Sequence, residues 1–291
     1  MKKRHVSGWR AALNKYLFRN SRAMIGLAII LFFGAVALFA PQIAPYNPKS
    51  IEFMPWTKPD ASHILGVDAY GRDVFSNLVY GTRVTITVGV LAGVITAAIG
   101  TIVGLVAGYK GGAVGEVLMR IVDVFLTIPM LAFMIVIASL LDSMTTKHTV
   151  LIIGLFSWMW MARSVRSQTL SEKKRDYIDA ARALGMGNTE IMFKELLPNI
   201  IPVITANAVM VITTAMLTEA SMSFLGIGDP TSTSWGKMLS IAYDNAAIVR
   251  RAWYWILPPG FCIATLGYAF MLIGNSFLDQ YASDRGGSVE L

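Results

Sequence analysis

The uncharged stretch Val84–Gly108 decides the fold class, and it reads VTITVGVLAGVITAAIGTIVGLVAG. A helix that crosses about 30 Å of hydrocarbon needs about 20 mainly apolar residues. A long unbroken apolar run favours a membrane helix over a barrel strand, which shows short alternating runs. The stretch therefore predicts a transmembrane helix.

Further apolar runs predict an all-α, polytopic membrane protein with six transmembrane helices. The other five are Met24–Ala40, Ile121–Leu141, Thr149–Ala162, Asn199–Thr218 and Trp253–Leu278. Pro129 predicts a kink in the helix that contains it. The predicted divisions are an N-terminal segment 1–23, a first helix and outer loop 24–83, a five-helix core 84–278 with an inner loop 163–198, and a tail 279–291.

Composition excludes several classes of protein. The 291 residues are 55% hydrophobic and only 15% charged, with a mean hydropathy of +0.56, whereas soluble chains are about 25% charged. An ordinary soluble enzyme, a disordered chain and a disulfide-rich secreted domain are excluded. Cys262 is the single cysteine, so no internal disulfide can form.

The formal net charge of +7 favours the positive-inside bias of a membrane protein over nucleic-acid binding. We therefore expect the lipid bilayer as a partner, and we expect no nucleic-acid partner. Most of the Lys and Arg residues lie in inner segments if both termini are cytosolic, which predicts that orientation. Ala35-Val36-Ala37 resembles a signal-peptide cleavage site. The long basic segment before the first apolar run instead predicts an uncleaved first helix.

Two rows of small residues run along Val84–Gly108. They are Gly89, Gly93 and Ala97, and Gly100, Gly104 and Gly108. Small residues spaced by four let helix backbones approach closely in lipid. The rows predict close helix contacts on two neighbouring faces, and the sequence leaves open whether those contacts are static or move as a unit.

The first outer loop contains the segment HILGVDAYGRD, residues 63–73. Gly66 and Gly71 indicate turns. Asp68, Arg72 and Asp73 predict a local ion-pair network that braces a folded-back strand or helix, although a single surface pair contributes only about 0–1 kcal/mol.

The inner loop predicts a short helix over Asp176–Leu184, with Asp176 as its N-cap and Gly185 or Gly187 ending it. Helical spacing predicts a shared face for Ile178, Ala181, Leu184 and Gly185. Its small side chains favour insertion into a cleft of a partner protein over a position on the bilayer surface.

Three polar or aromatic features lie at the edges of predicted spans. Asp123 predicts an ion pair with Arg120 at i, i+3. Glu219 is expected at the level of the lipid headgroups, with a wet cavity as the alternative. Trp253-Tyr254-Trp255 predicts an interfacial aromatic belt.

The sequence lacks the common motifs of nucleotide-binding proteins, serine hydrolases and zinc proteases. The chain has no G-x-x-x-x-G-K-[ST], G-x-S-x-G or H-E-x-x-H, and its three histidines are far apart. We therefore expect no catalytic or metal-ligating residues. One alternative is a secondary transporter or channel, which usually needs more charged residues or inverted repeats within the membrane. Another is a membrane enzyme, which needs a nucleophile or a metal site.

The inner loop resembles the EAA loop of permease subunits in binding-protein-dependent ABC importers. The similarity covers Asp179-Ala180-Ala181, Gly185 and Leu197-Pro198, with Asp179 in place of the family's Glu and Glu195 in place of its Ile. Residues 63–73, 80–83, 120–129, 223–226 and 235–236 resemble the dipeptide, oligopeptide and nickel branch, and the outer loop resembles its second, C-type permease.

The resemblance implies a type I ABC importer permease in a bacterial or archaeal inner membrane. The implied partners are a second, homologous permease, two ATPase subunits that bind ATP and magnesium, and an extracytoplasmic solute-binding protein, with no cofactor in this chain. The implied coupling residues are Asp176, Ile178, Asp179, Ala180, Ala181, Leu184 and Gly185. Those implied on the binding-protein side are Gly66, Asp68, Gly71, Arg72 and Asp73.

Polar residues within apolar spans are candidates to line a translocation path. They are Thr205, Asn207, Thr213, Thr214 and Asn275. Such side chains also bond to their own helix turn or to a neighbouring helix, which is the alternative. The resemblance implies a short peptide as cargo, with an oligosaccharide, an opine or a nickel chelate as alternatives.

Overall fold

A computed structural model describes residues 20–286 of the chain, and these form helices joined by loops. The helices are α1 Ser21–Leu38, α2 Ala40–Ile43, α3 Val74–Lys110, α4 Gly112–Thr127, α5 Met130–Ser139, α6 Thr146–Phe156, α7 Met159–Glu172, α8 Asp176–Ala183, α9 Asn188–Phe224, α10 Trp235–Asp244 and α11 Trp253–Gly286. Helix α9 has a π-helical section over Ile191–Leu196. The prediction of an all-α membrane protein is confirmed.

Four helices, α1, α3, α9 and α11, are long and apolar enough to cross a membrane. A fifth candidate is the pair α4 and α5, which are bent by 84° relative to each other. The break follows from Pro129, since the residue before a proline is disfavoured in the α conformation and Ile128 is extended. The kink predicted at Pro129 is therefore confirmed, and it is large.

Several predicted boundaries shift in the structure. The predicted range Thr149–Ala162 is divided between α6 and α7, so it is not one helix. Helix α3 begins at Val74 rather than Val84, because the Asp73 carboxylate caps it by accepting the Ser76 N–H. The predicted segment 1–23 lies mostly outside the described residues. The predicted tail is helical through Gly286, and its last five residues lie outside them. Six spans and two cytosolic termini stay predictions.

Helix α3 is the centre of the bundle, and its glycines explain why. A Cβ atom on Gly93 would lie 2.6 Å from Ile212 Cγ1 of α9, and one on Gly104 would lie 2.5 Å from the Ala162 carbonyl oxygen of α7. The first glycine row therefore packs against α9, and the second row packs against α7. The two predicted close contacts on neighbouring faces are confirmed.

Large apolar side chains cover much of the exterior. Phe32, Ile102 and Phe261, on three of the long helices, are among the most exposed. Such a surface is unfavourable in water and favourable in lipid.

The bundle has two polar ends. We call residues 44–73 and 225–252 the cap, and we call the opposite end, where residues 109–112 and 173–190 lie, the α8 end.

Candidate functional sites at the two ends of the bundle

Helix α8 is short and well defined at both ends. Asp176 is its first residue rather than its N-cap, which is Arg175; the predicted role of Asp176 as the cap is wrong by one position. The helix ends in a Schellman motif, in which Met186 N–H donates to the Ala181 carbonyl at 3.1 Å. Gly185 has a φ of +79°, so it supplies the left-handed residue that this motif needs.

The four residues predicted to share one face of α8 have different surroundings. Ile178 and Ala181 are buried in this chain, where they pack with Leu105 of α3 and Ile191 of α9. The Leu184 side chain is 78% exposed. Helical spacing correctly places these four residues on one side of the helix. It cannot show that other parts of the same chain bury two of them. Exposed positions that remain are Asp176, Asp179, Ala180, Leu184 and Gly185.

Hydrogen bonds join helices α3, α7, α8 and α9 at the α8 end of the bundle. Tyr109, at the end of α3, donates its hydroxyl to Asn188 Oδ1 of α9 at 3.0 Å. Lys173, just after α7, donates to the Tyr109 carbonyl at 2.5 Å, and Tyr177 of α8 donates to Glu172 Oε2 of α7 at 3.1 Å. Sequence reasoning missed the contacts of Tyr109 because its partners Asn188 and Lys173 lie 79 and 64 residues away along the chain. These bonds connect α8 directly to α7, and they connect the segment after α7 to α3 and, through Tyr109, to α9.

The cap segment 44–73 is braced by two carboxylates. Asp68 accepts N–H groups from Tyr70 and Arg72 and pairs with the Arg72 guanidinium at 2.7 Å. Asp73 lies 2.9 Å from His63 Nδ1 and caps α3. The predicted Asp68–Arg72 pair is confirmed, but Asp73 does not join it. Val67 and Asp73 form an isolated antiparallel bridge, so the segment folds back on itself, although residues 63–73 form neither the strand nor the helix that the sequence predicts.

The two cap glycines are required by close backbone approach. Gly66 and Gly71 have φ values of +66° and +79°. A Cβ atom on them would lie 2.5 Å from the Thr57 carbonyl oxygen and 2.6 Å from the Phe53 carbonyl oxygen. Both glycines hold the segment in its folded-back shape, so the predicted turns are confirmed.

Glu219 is buried rather than at the surface, which corrects the headgroup prediction. Its Oε1 accepts the Ser223 hydroxyl at 2.7 Å, and its Oε2 accepts the Thr85 hydroxyl at 3.4 Å. Thr85 Oγ1 is in turn 3.5 Å from the Trp235 N–H. The carboxyl group therefore links α9, α3 and the start of α10 beneath the cap.

Asp229 and Lys237 organise the loop between α9 and α10. The Lys237 ammonium donates to the carbonyls of Asp229, Pro230 and Ser232, and Asp229 accepts the N–H and hydroxyl groups of Thr146 and Thr231. Burial opposes ionisation of Asp229, but these hydrogen bonds outweigh it and lower its pKa from 3.8 to about 2. No sequence motif indicated this network.

Replacing Asp229 by asparagine is expected to remove about 1 kcal/mol of stability at pH 7, after allowance for solvent screening. Because the folded-state pKa lies below the unfolded one, the contribution is complete above pH 3.8 and is lost as the pH falls through about 2. The difference in melting temperature between the variant and the native chain should shrink by roughly half at pH 3. Asp142→Asn, at an exposed position, is the control and should show no pH-dependent difference.

Of the two other predictions at the span edges, the Asp123–Arg120 ion pair is wrong, and the interfacial aromatic belt is wrong for Trp255. Asp123 pairs with Arg163 of α7 at 2.5 Å, not with Arg120. Trp255 is buried against Trp56, with ring centroids 5.6 Å apart, so it belongs to the core beneath the cap. Trp253 is half exposed, as an interfacial residue would be.

The candidate path residues have separate surroundings. Asn207 donates to Ser164 Oγ of α7 at 2.8 Å and to the Val203 carbonyl, and Thr214 donates to the Met210 carbonyl of its own turn. Thr213 Oγ1 is buried without a partner, Thr205 is partly buried, and Asn275 is exposed. Asn207 and Thr214 therefore form the local or interhelical hydrogen bonds that were the alternative to lining a path. That the five residues line a translocation path stays a prediction.

Comparison with known proteins identifies the family. Residues 100–283 match the model of the binding-protein-dependent transport system inner membrane component. The chain belongs to this family. Residues 7–60 match the N-terminal transmembrane domain of oligopeptide transport permease C. The family comprises the membrane subunits of ABC importers, in which separate subunits hydrolyse ATP, so the chain is a multi-pass inner membrane permease.

Relatives align over nearly the whole permease. The chain is 35% identical over 278 residues to the dipeptide transport system permease protein of Alkalihalophilus pseudofirmus, covering 94% of this chain and 89% of that one. It is 33% identical over 280 residues to the oligopeptide transport system permease protein of Bacillus subtilis, covering 95% of this chain and 90% of that one. It is 34% identical over 272 residues to the dipeptide transport system permease protein of Haemophilus influenzae, covering 91% of each chain.

Proposed function

We propose that this permease forms half of the path through which an ATP-driven importer carries short peptides across the inner membrane. The observation that carries the proposal is the similarity, over nine-tenths of the chain, to permeases of dipeptide and oligopeptide transport systems. The other half of the path is a second, homologous permease. Two ATPase subunits bind ATP and magnesium, and a solute-binding protein delivers the peptide.

Helix α8 is the coupling helix in this proposal, and the exposed half of its surface is the docking face. Its exposed residues Asp179, Ala180, Leu184 and Gly185 offer small side chains and one leucine that fit a groove on an ATPase subunit. Ile178 and Ala181 act from the other side, because they anchor the helix to α3 and α9. Closure of the ATPases upon ATP binding then moves α8 and these long helices together.

The solute-binding protein docks on the cap in this proposal. Asp68 and Asp73 are buried, so they hold the shape of the segment rather than contact the partner. The exposed side chains beside them, Ile51, Met54 and Tyr70, supply the contact surface. A binding protein that distinguishes the two states of the permease can shift the equilibrium between them, since only differential affinity does so.

The first test is co-purification of the tagged chain from its native membrane with three variants beside it. Leu184→Glu and Gly185→Asp place a negative charge on the exposed face of α8 and are expected to lose the ATPases while keeping the second permease. Val249→Glu adds the same charge at an equally open position of the cap, since Val249 is 82% exposed and Leu184 78%. This control should retain the ATPases.

Uptake of labelled di- and tripeptides by the same strains tests the cargo. The native chain should take up the labelled peptides, and the two α8 variants should show no uptake at normal expression. Val249→Glu lies in the cap and is therefore a control for ATPase retention only. A native chain that purifies alone, under conditions that preserve other ABC complexes, would favour a secondary transporter or channel. Retention of the ATPases by both α8 variants would contradict the assignment of the coupling helix.

A further inference from the structure

A basic pocket of about 330 Å³ lies at the α8 end, where α3 ends and α9 begins. Three cationic side chains line it: Lys110 of α3, Lys173 after α7, and Arg182 of α8. None of the described residues that line it is acidic. Three cations from two inner segments therefore face one cavity beside the anchored half of α8.

The positive charge of this pocket is only partly compensated. Arg182 pairs with Asp179 at 2.9 Å, but Lys173 donates to the neutral Tyr109 carbonyl. Lys110 is exposed and forms no ion pair within residues 20–286. Two carboxylates at this end have cations of their own, since Glu172 lies 3.8 Å from Arg175 and Glu190 lies 2.6 Å from Lys194. Two positive charges are therefore left without an anion.

Neutral donors add to the same wall. Asn188 and Thr189 open helix α9 and line the pocket, and Gly187, at the N-cap position, offers no side chain to cap that helix. The first amide groups of a helix favour an anion placed before them. The lysine and arginine side chains alone would attract any anion, whereas these additional donors suit one with several acceptor oxygens.

The geometry points to a binding site for a phosphate-bearing anion in this pocket. Two sources carry that chemistry: the headgroup of an anionic phospholipid and a soluble phosphate. Basic pockets between membrane helices at the cytosolic side suit anionic headgroups, and the α8 end is the predicted cytosolic end. A bound phosphate would contact Lys110, Lys173 and Arg182 at once, which would fix α8 to α3 and α7. This inference does not depend on which cargo is carried.

Thermal unfolding tests the site in the full-length chain, purified together with any subunits that accompany it. The two probes are inorganic phosphate and dihexanoylphosphatidylglycerol, each titrated against sodium chloride at equal ionic strength. Lys110→Gln removes the cation that has no partner. Lys174→Gln removes the same charge from an exposed position at the same end of the molecule but outside the pocket, and it is the matched control.

We expect a probe to raise the melting temperature of the native chain, as a ligand of the folded state must. Lys110→Gln should need about a fivefold higher concentration of the probe for the same shift, which corresponds to one cationic contact. Lys174→Gln should need no more of the probe than the native chain does. A response to phosphatidylglycerol alone assigns the site to lipid, and a response to both probes, or to phosphate alone, shows that the phosphate group suffices. No shift beyond that of chloride, or equal weakening in both variants, would overturn the inference.

Discussion

Replacing Gly104 by leucine is expected to prevent stable packing of α3 against α7. A Cβ atom at this position would lie 2.5 Å from the Ala162 carbonyl oxygen and 2.8 Å from Val165 Cβ. The first of these atoms is backbone, so relief requires the two helices to move apart. Overpacking of a tight core typically costs about 1–3 kcal/mol, and a leucine adds three more carbons to the same space. We expect most of the variant chain to be degraded or aggregated.

Gly34→Ala is the control for adding a side chain at a glycine that faces open space. Gly34 is also within a long apolar helix, and a Cβ atom there would meet no atom within 4 Å. Alanine is the better helix former by up to about 1 kcal/mol, so this variant should be as stable as the native chain or slightly more so. The measurement is the monodisperse fraction after heating in detergent. Equal stability of Gly104→Leu and Gly34→Ala would show that α3 and α7 are not closely packed in the membrane.

The sequence predicted those features that depend on neighbouring residues. The rows through Gly93 and Gly104 indicated close helix contacts because small residues at intervals of four have few other uses in lipid. Gly185 indicated the end of α8 because few residues other than glycine accept its left-handed conformation. In each case the physical cause lies within one or two turns of the residue.

Features that depend on distant residues could not be predicted. Asp123 has Arg120 within one turn, yet its partner is Arg163, forty residues away. The break between α6 and α7 falls at Ser157 and Trp158, where neither glycine nor proline indicates it. The candidate site shows the same limit, since periodicity placed Ile178 on a face of α8 but only the tertiary structure shows that α3 and α9 cover that side chain.

Replacing Glu219 by alanine is expected to loosen the cap and to lower stability by about 2–4 kcal/mol. The change removes the acceptor of the Ser223 and Thr85 hydroxyls and leaves a cavity, and both effects are costly in a buried site. Because Thr85 also faces the Trp235 N–H at the start of α10, the disturbance should reach that helix. Limited proteolysis should therefore increase within residues 225–234 and not at the loop after α8.

Glu219→Gln separates hydrogen bonding from simple loss of volume. The glutamine amide keeps an acceptor for Ser223 and fills the same space, and its nitrogen can donate to the Thr85 hydroxyl. We therefore expect this variant to keep most of the stability that the alanine variant loses. Glu116→Ala, at an exposed position of α4, should change neither the melting temperature nor the proteolysis pattern. If glutamine were as damaging as alanine, the carboxyl group would be needed for its charge, and the linkage of α9, α3 and α10 through these hydroxyls would not explain its position.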